Sequence, residues 1–320
     1  MQNTTELIYK AMTYGYPEEI PVCAGFLPSA IKKNETAIKD IMRAYPAFFE
    51  DRWQSYDYDK ELPGNCKVGC YTDDWGCVWE NLNEGMAAYV TKHPVPRRED
   101  ILTLKAPETD AGLPHGFMYL RLLDLRGFDE AMLDFAEDCE ELQILIDIVC
   151  GYNVRQMELR CQNESSPYVA VGDDLGMQHG LAVGAGRWRK YLKPAYKRIY
   201  DVCATHGKLV YMHTDGYIID IMHDLAEAGV SMVNPQYSAN GLENLVATCK
   251  GKIPIMLDLN RQFFPYATPE EMRSHARKAV EALYLPEGGL GINLEFGPDT
   301  PPENVAAILD EMDILRKYRA

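Results

Sequence analysis

The stretch Val210-Tyr-Met-His-Thr-Asp-Gly216 carries the strongest chemical signal in the sequence. An apolar run stops at His213, and Asp215 and a glycine follow, which is how a buried parallel strand ends when it delivers polar side chains to a cleft. A histidine and a carboxylate so placed can meet one metal ion, one proton donor or one substrate amine. The alternative is structural, with the histidine bonded to neighbouring backbone and Asp215 capping a helix that starts near Tyr217. Other strand ends of the same kind favour chemistry. Tyr168-Val-Ala-Val-Gly-Asp173-Asp174, Ile253-Pro-Ile-Met-Leu-Asp258 and Gly291-Ile-Asn-Leu-Glu295 each close an apolar run with a carboxylate.

Asp173 and Asp174 are the next signal, because adjacent carboxylates repel unless a cation, an arginine or a shared proton compensates. The competing expectation has one of them capping a helix and the other paired with Arg187 or Arg189. His213, Asp215, Asp173 and Asp174 are the catalytic candidates. Asp74, Trp75, Gln178, Tyr217, Asn234, Gln236 and Asp258 are the candidates for substrate contact: Asn234 and Gln236 as neutral hydrogen-bonding groups, Trp75 as an aromatic wall. Trp79 is assigned to core packing. His93, His206, His223 and His275 are expected to be solvated, and His115 to open a strand on the face away from the cleft. No G-x-S-x-G elbow, dinucleotide fingerprint or phosphate loop occurs.

These strand ends need elements that bring them together. Strands are expected at Ile20–Phe26, at Cys66–Tyr71 with Gly76–Trp79, and at His115–Leu120, Tyr168–Gly172 and Lys208–Met212. Three more follow at Gly229–Asn234, Ile253–Leu257 and Leu290–Leu294. Helical patterns lie between them: Pro28–Phe49, a long region from Phe128 to about Gln162 broken near Asp138, and two helices divided at Pro194. Capping boxes at Thr268-Pro-Glu-Glu271 and Thr300-Pro-Pro-Glu303 open the last two helices. Residues 51–65 read as a loop over the mouth, and residues 83–114, rich in proline, as an irregular excursion with a short helix. Strand then helix, repeated from residue 168 to the end, is the rhythm of a parallel sheet. Eight strands in 320 residues predict an α/β fold, a single-domain (β/α)8 TIM-type barrel with an N-terminal extension and long loops over its C-terminal mouth.

The formal charge of −16 argues against nucleic acid and anionic membrane surfaces. No signal-peptide pattern or membrane-length apolar run is found, so a cytoplasmic location is expected. The nine scattered cysteines contain no C-x-x-C pair and read as reduced, mostly buried thiols.

Taken in order, several segments resemble the uroporphyrinogen decarboxylase superfamily, particularly its branch of corrinoid-dependent methyltransferases. They are Gly172-Asp-Asp-Leu-Gly176, Lys193-Pro194, His213-Thr-Asp-Gly216, Asp224-Leu225, Ala228-Gly229, Asn234-Pro-Gln236 and Thr300-Pro-Pro-Glu-Asn304. Asp74-Trp-Gly76 and Leu125-Arg-Gly-Phe128 extend the likeness, which is best over residues 166–318. The resemblance implies a TIM-type barrel with its cleft at the C-terminal strand ends. It also implies methyl transfer from a small methylated substrate, a methoxylated aromatic or a methylated amine, to the corrinoid of a separate partner protein. A divalent metal, zinc by preference, would sit at His213, Asp215 and Glu295, where the zinc enzymes of the branch use His-x-Cys and a distant Cys. Decarboxylating members carry an arginine-rich segment where this chain has Cys23-Ala-Gly-Phe-Leu-Pro-Ser-Ala.

Decarboxylation of a carboxylated molecule and simple ligand binding are the alternative functions. Asp173, Asp174, Asp215, Asp258 and Glu295 around one mouth would repel a polyanion. Such a group needs relief from a divalent cation, from a quaternary ammonium against Trp75, Tyr217 or Tyr237, or from a proton. The sequence leaves monomer and homodimer open.

Overall fold

The computed structural model describes residues 4–49 and 57–319. Nine strands occur among them: β1 (Val22–Phe26), β2 (Gly69–Thr72), β3 (Val78–Asn81), β4 (Tyr89–Lys92), β5 (Tyr168–Gly172), β6 (Leu209–Thr214), β7 (Met232–Pro235), β8 (Ile255–Asp258) and β9 (Leu290–Phe296). The chain divides into two compact units. One comprises Met1–Gly69, Asn81–Ala88 and Gln236–Ala320, and the other Cys70–Glu80 and Tyr89–Pro235.

In the second of these units β5, β6 and β7 form a parallel sheet whose register aligns Gly172 with His213 and His213 with Asn234. Along β6 the side chains alternate: Val210, Met212 and Thr214 are buried, whereas Tyr211, His213 and Asp215 keep some exposure. That two-residue period holds His213 and Asp215 on one side of the strand. Helices cover the sheet. Glu140–Asn163 and Lys193–Thr205 pack on one another, the first burying Leu145, Val149 and Met157, the second Tyr196, Ile199 and Cys203. β3 pairs antiparallel with β4.

The other unit carries β1, β9 and β8 in parallel, with Gly25 opposite Glu295 and Asp258 opposite Asn293. Helix Pro269–Leu283 opens on a true capping box, Thr268 Oγ1 accepting from Glu271 N while Glu271 accepts from Thr268 N. It packs on helix Pro302–Leu315. The half-buried Arg277 grips the buried Glu311 through two hydrogen bonds of 2.7 and 2.8 Å, a bidentate pairing.

The α/β class and its parallel strands are as expected, and six such strands, three in each unit, stand where eight were predicted. The predicted strand at His115–Leu120 is a turn leading into helix Tyr119–Arg126. Its apolar residues Phe117, Met118 and Tyr119 pack a helix start, because a short apolar run fits a buried helix as well as a strand. β4 lies within the predicted excursion, and Cys66–Trp79 resolves into β2 and β3. The break near Asp138 is real: helix Phe128–Glu137 ends there on a left-handed residue with φ 54°. Pro194 does not separate two helices. The backbone stays helical from Gly184 to Thr205, and a π-helical turn at Trp188–Leu192 absorbs the proline. The last helix takes Pro301 as its N-cap with no side-chain bond, so the second capping box is absent. The predicted loop at 51–65 falls partly outside the described residues; within it Tyr58–Glu61 is a short helix. No helix among the described residues is long and apolar enough to cross a membrane.

Candidate functional site

The row Gly172–His213–Asn234 fixes the centre of the site. Asn234 Oδ1 lies 2.8 Å from His213 Nδ1, so that nitrogen carries the hydrogen and Nε2 is left as the reactive position. Nε2 in turn lies 3.3 Å from Asp215 Oδ1. Just past β5, Asp174 accepts the Asp215 backbone N–H at 3.1 Å through Oδ1. One ligand atom each from Asp174, His213 and Asp215 lies within 4.8 Å of the others, the group of this kind found among the described residues.

Two glycines make that approach possible. A Cβ on Gly216, whose φ is +82°, would stand 2.1 Å from the Gly176 carbonyl oxygen, and one on Gly176 would stand 2.5 Å from Tyr217 N. The two post-strand segments therefore touch backbone to backbone. Gly176 N donates to Asp215 O (3.1 Å), Tyr217 N to Met177 O (2.8 Å) and Leu175 N to Thr214 Oγ1 (3.0 Å). Only residues without a Cβ permit this contact.

A second histidine completes the cluster. His115 Nε2 lies 3.1 Å from Asp174 Oδ2, and its ring centroid is 5.7 Å from that of His213. Its position depends on Gly172, where a Cβ would fall 2.5 Å from His115 Nδ1, and on the bond from Gly116 N to Gly172 O at 2.8 Å. The electrostatics are reciprocal. The hydrogen bond to Asp174 raises the His115 pKa against burial. Burial pulls His213 down, but Asp215, Asn234 and Asp174 outweigh it and hold the imidazole above its ordinary value. Burial pushes Asp174 up, and His115 with the Asp215 amide outweighs that, keeping the carboxyl below the usual range.

The other candidates lie elsewhere. Asp173 points into the core, fully buried, where it accepts from Met118 N (2.9 Å), Tyr119 N (2.6 Å), Leu120 N (3.0 Å) and Tyr196 Oη (2.6 Å). It anchors the N-terminus of helix Tyr119–Arg126 and offers nothing to a cleft. Burial raises its pKa and the four donors act in the opposite sense. Arg187 and Arg189 pair with neither aspartate; Arg187 bonds the Phe135 and Ala136 carbonyls, and Arg189 bonds Asp224. Gln178 is exposed, and Tyr217 donates through Oη to Asp220 at 3.3 Å.

In the other unit Gln236 bridges to the buried Asp258, which accepts from Asn293 Nδ2 at 3.0 Å. Glu295 is paired with Arg261, so its counter-charge is a side chain and it is not one of the three grouped ligands. The expected relief of the carboxylates thus changes: in this unit Arg261 pairs with Glu295, while in the other His115 faces Asp174, His213 faces Asp215 and Asp173 is bonded away.

His115 is the residue of the cluster that sequence reasoning misplaced. Its partner lies far along the chain, and the one clue was a glycine at Gly172. His275 is not solvated either: it accepts the Asn260 N–H at 3.2 Å among Tyr237, Phe263 and Phe264, and burial pulls its pKa down to about 4. His93 bonds the Asp124 carbonyl at 2.7 Å, whereas His223 is exposed as expected.

Asp74 and Trp75 line a cavity of about 250 Å³ together with Phe117, Arg121 and Tyr152. Trp75 meets Tyr152 edge-on, with centroids 5.1 Å apart. Trp79 is partly buried and stacks on Tyr71 while its indole N–H donates to Asp73 at 3.0 Å.

Comparison with known proteins gives a family and a fold. The profile described as uroporphyrinogen decarboxylase (URO-D) matches residues 117–314. Among solved structures, a methyltransferase from Methanosarcina mazei superposes with a TM-score of 0.62 at 15% identity, over 98% of each chain. Dihydropteroate synthase from Xanthomonas albilineans gives a TM-score of 0.35 at 17% identity, over 49% of this chain and 58% of that one. No curated protein matches the sequence.

Proposed function

The chain belongs to the uroporphyrinogen decarboxylase family, and from that premise we propose that it is a methyltransferase, moving a methyl group from a small methylated donor to the cobalt of a separate corrinoid protein. The observation that carries this reading is the convergence of Asp174, His213 and Asp215 within 4.8 Å of one another, in a chain that shares its fold with a methyltransferase. One imidazole nitrogen and two carboxylate oxygens suit a divalent ion, and three protein ligands is the number that catalytic zinc sites use. Zinc is the ion we assign to them. When bound it supplies Lewis acidity to a leaving oxygen or to the nitrogen of an uncharged amine, whereas an ammonium donor already carries the positive charge and leaves as a neutral amine.

The protein's own groups do the rest. Asn234 fixes the tautomer of His213 and keeps Nε2 toward the carboxylates. His115, held on Asp174, carries a proton beside the reacting centre. In the reaction the donor's C–O or C–N bond breaks, its electron pair stays on the heteroatom, and that atom takes the proton. The electron pair of cobalt(I) forms the new cobalt–carbon bond, leaving methyl-cobalt(III). Decarboxylation of a polyanion is less well supported, since Arg121 in the cavity wall is already paired with Asp73 at 2.6 Å.

The test is incubation with a cobalt(I) corrinoid protein and a panel of methoxylated aromatics and methylated amines. Methyl-cobalt absorbance should develop with at least one donor and fail with His213→Ala. Silence across the panel with the cognate corrinoid protein present would refute the reaction.

A further inference from the structure

The cavity lined by Asp74 and Trp75 has the walls and the charge of a cation site. Trp75, Tyr152 and Phe117, each at most 9% exposed, give it aromatic walls, and the edge-on contact of Trp75 with Tyr152 sets two of them as a corner. At about 250 Å³ it falls below the roughly 300–1,000 Å³ of sites for drug-sized molecules, so its occupant is small.

The wall is built, not incidental. Asp73 Oδ1 accepts from Trp75 N (3.0 Å) and Cys77 N (2.9 Å), while Oδ2 accepts from Arg121 (2.6 Å) and the Trp79 indole (3.0 Å). Gly76 takes φ +88° to close this turn. The indole of Trp75 is thereby held in place at the cavity.

The charges around the cavity decide what it holds. Arg121 faces Asp73 at 2.6 Å and Asp124 at 3.7 Å, and is matched before any ligand arrives. Arg155 lies over the Tyr152 ring at 5.2 Å and near Asp110 at 3.5 Å. Asp74, exposed at the cavity wall, has Thr109 Oγ1 as its hydrogen-bond donor at 2.7 Å, a neutral partner. Among the lining residues two carboxylates, Asp73 and Asp74, stand against the one guanidinium of Arg121, which leaves the wall acidic. An anion would meet Asp74 with no spare arginine, whereas a cation gains from both the carboxylate and the ring faces.

We propose that this cavity binds a small methylated ammonium ion through Trp75, Tyr152 and Asp74. The proposal deepens the methyl-transfer reading by choosing between its two donor classes, and it rests on that reading for the role of the ion as donor. The segment that lines the cavity with Pro114 and Phe117 also seats His115 on Asp174, so donor and proton-carrying residue are positioned by one stretch of chain.

The experiment is calorimetric titration of the full chain with tetramethylammonium chloride, and with anisole as a neutral methyl ether. Tetramethylammonium should bind and anisole should not displace it. Trp75→Leu should weaken binding by about tenfold or more, and Asp74→Asn, at an exposed position, by about threefold to tenfold. Tyr152→Phe, which keeps the ring, should stay near wild type. Anisole binding more tightly than tetramethylammonium, or unchanged affinity in both Asp74→Asn and Trp75→Leu, would overturn the assignment. Tetramethylammonium binding that persists while no donor yields methyl-cobalt would refute the reaction and leave the cation site standing.

Discussion

Replacing Gly216 by alanine tests how the site is assembled. The new Cβ would lie 2.1 Å from the Gly176 oxygen and 2.2 Å from its carbonyl carbon, over 1 Å inside ordinary contact, and neither neighbour is a flexible side chain. The backbone at φ +82° adds about 1–2 kcal/mol for a residue with a Cβ. Relief requires the segments to part, which breaks the bonds from Gly176 N to Asp215 O and from Tyr217 N to Met177 O, at about 1 kcal/mol each. The sum is about 3–4 kcal/mol. Parting the segments also draws Asp174 away from the Asp215 amide, so affinity for a divalent metal should fall together with stability. Urea unfolding followed by circular dichroism measures the first effect and competition against a chromophoric chelator the second. Gly180→Ala, with open space around the added Cβ, is the control and should change stability by about 0.5 kcal/mol or less. Equal stability of the two variants would refute the close-packed account of the site.

Other outcomes follow from the same structure. Burial holds His275 at about 4 against an ordinary 6.5, so the unfolded chain takes up its proton first as pH falls. Stability should therefore drop between about pH 6.5 and 4, by at most ~3.5 kcal/mol at about 1.4 kcal/mol per pH unit, and by less because the ring keeps some exposure. His275→Gln should flatten that part of the pH–stability curve, and a parallel curve would contradict the buried-neutral reading. Asp173→Asn should cost about 3 kcal/mol of unfolding free energy, since one amide oxygen cannot replace a carboxylate that accepts from three backbone N–H groups and the Tyr196 hydroxyl. A stable Asp173→Asn protein without activity would instead return Asp173 to the chemistry.

The legible parts of the molecule were those governed by local pattern. Runs such as Val210–Met212 and Val169–Val171 announce buried strands, and the aspartates and histidine that end them mark the edge where the candidate site lies. The Thr268 capping box and the break at Asp138 were likewise visible, because short-range hydrogen bonding and backbone conformation decide them. What the sequence hid depends on distant partners. Asp173 and Asp174 are neighbours with opposite fates, one bonded to a helix start some fifty residues earlier, the other facing His213, and strand alternation alone sends adjacent residues to opposite sides. His115 could not be placed because its strand proved to be a turn. Glu295, expected to ligate a metal, has the Arg261 guanidinium as its partner, a residue 34 positions away that no local pattern links to it.

The metal is the point on which the account turns, and elemental analysis of protein purified without an affinity tag measures it. Wild type and Glu295→Ala should each retain about one divalent ion per chain, while Asp174→Ala, His213→Ala and Asp215→Ala lose it. Substoichiometric metal in wild type, or a full complement in His213→Ala, would contradict a metal centre at these three residues.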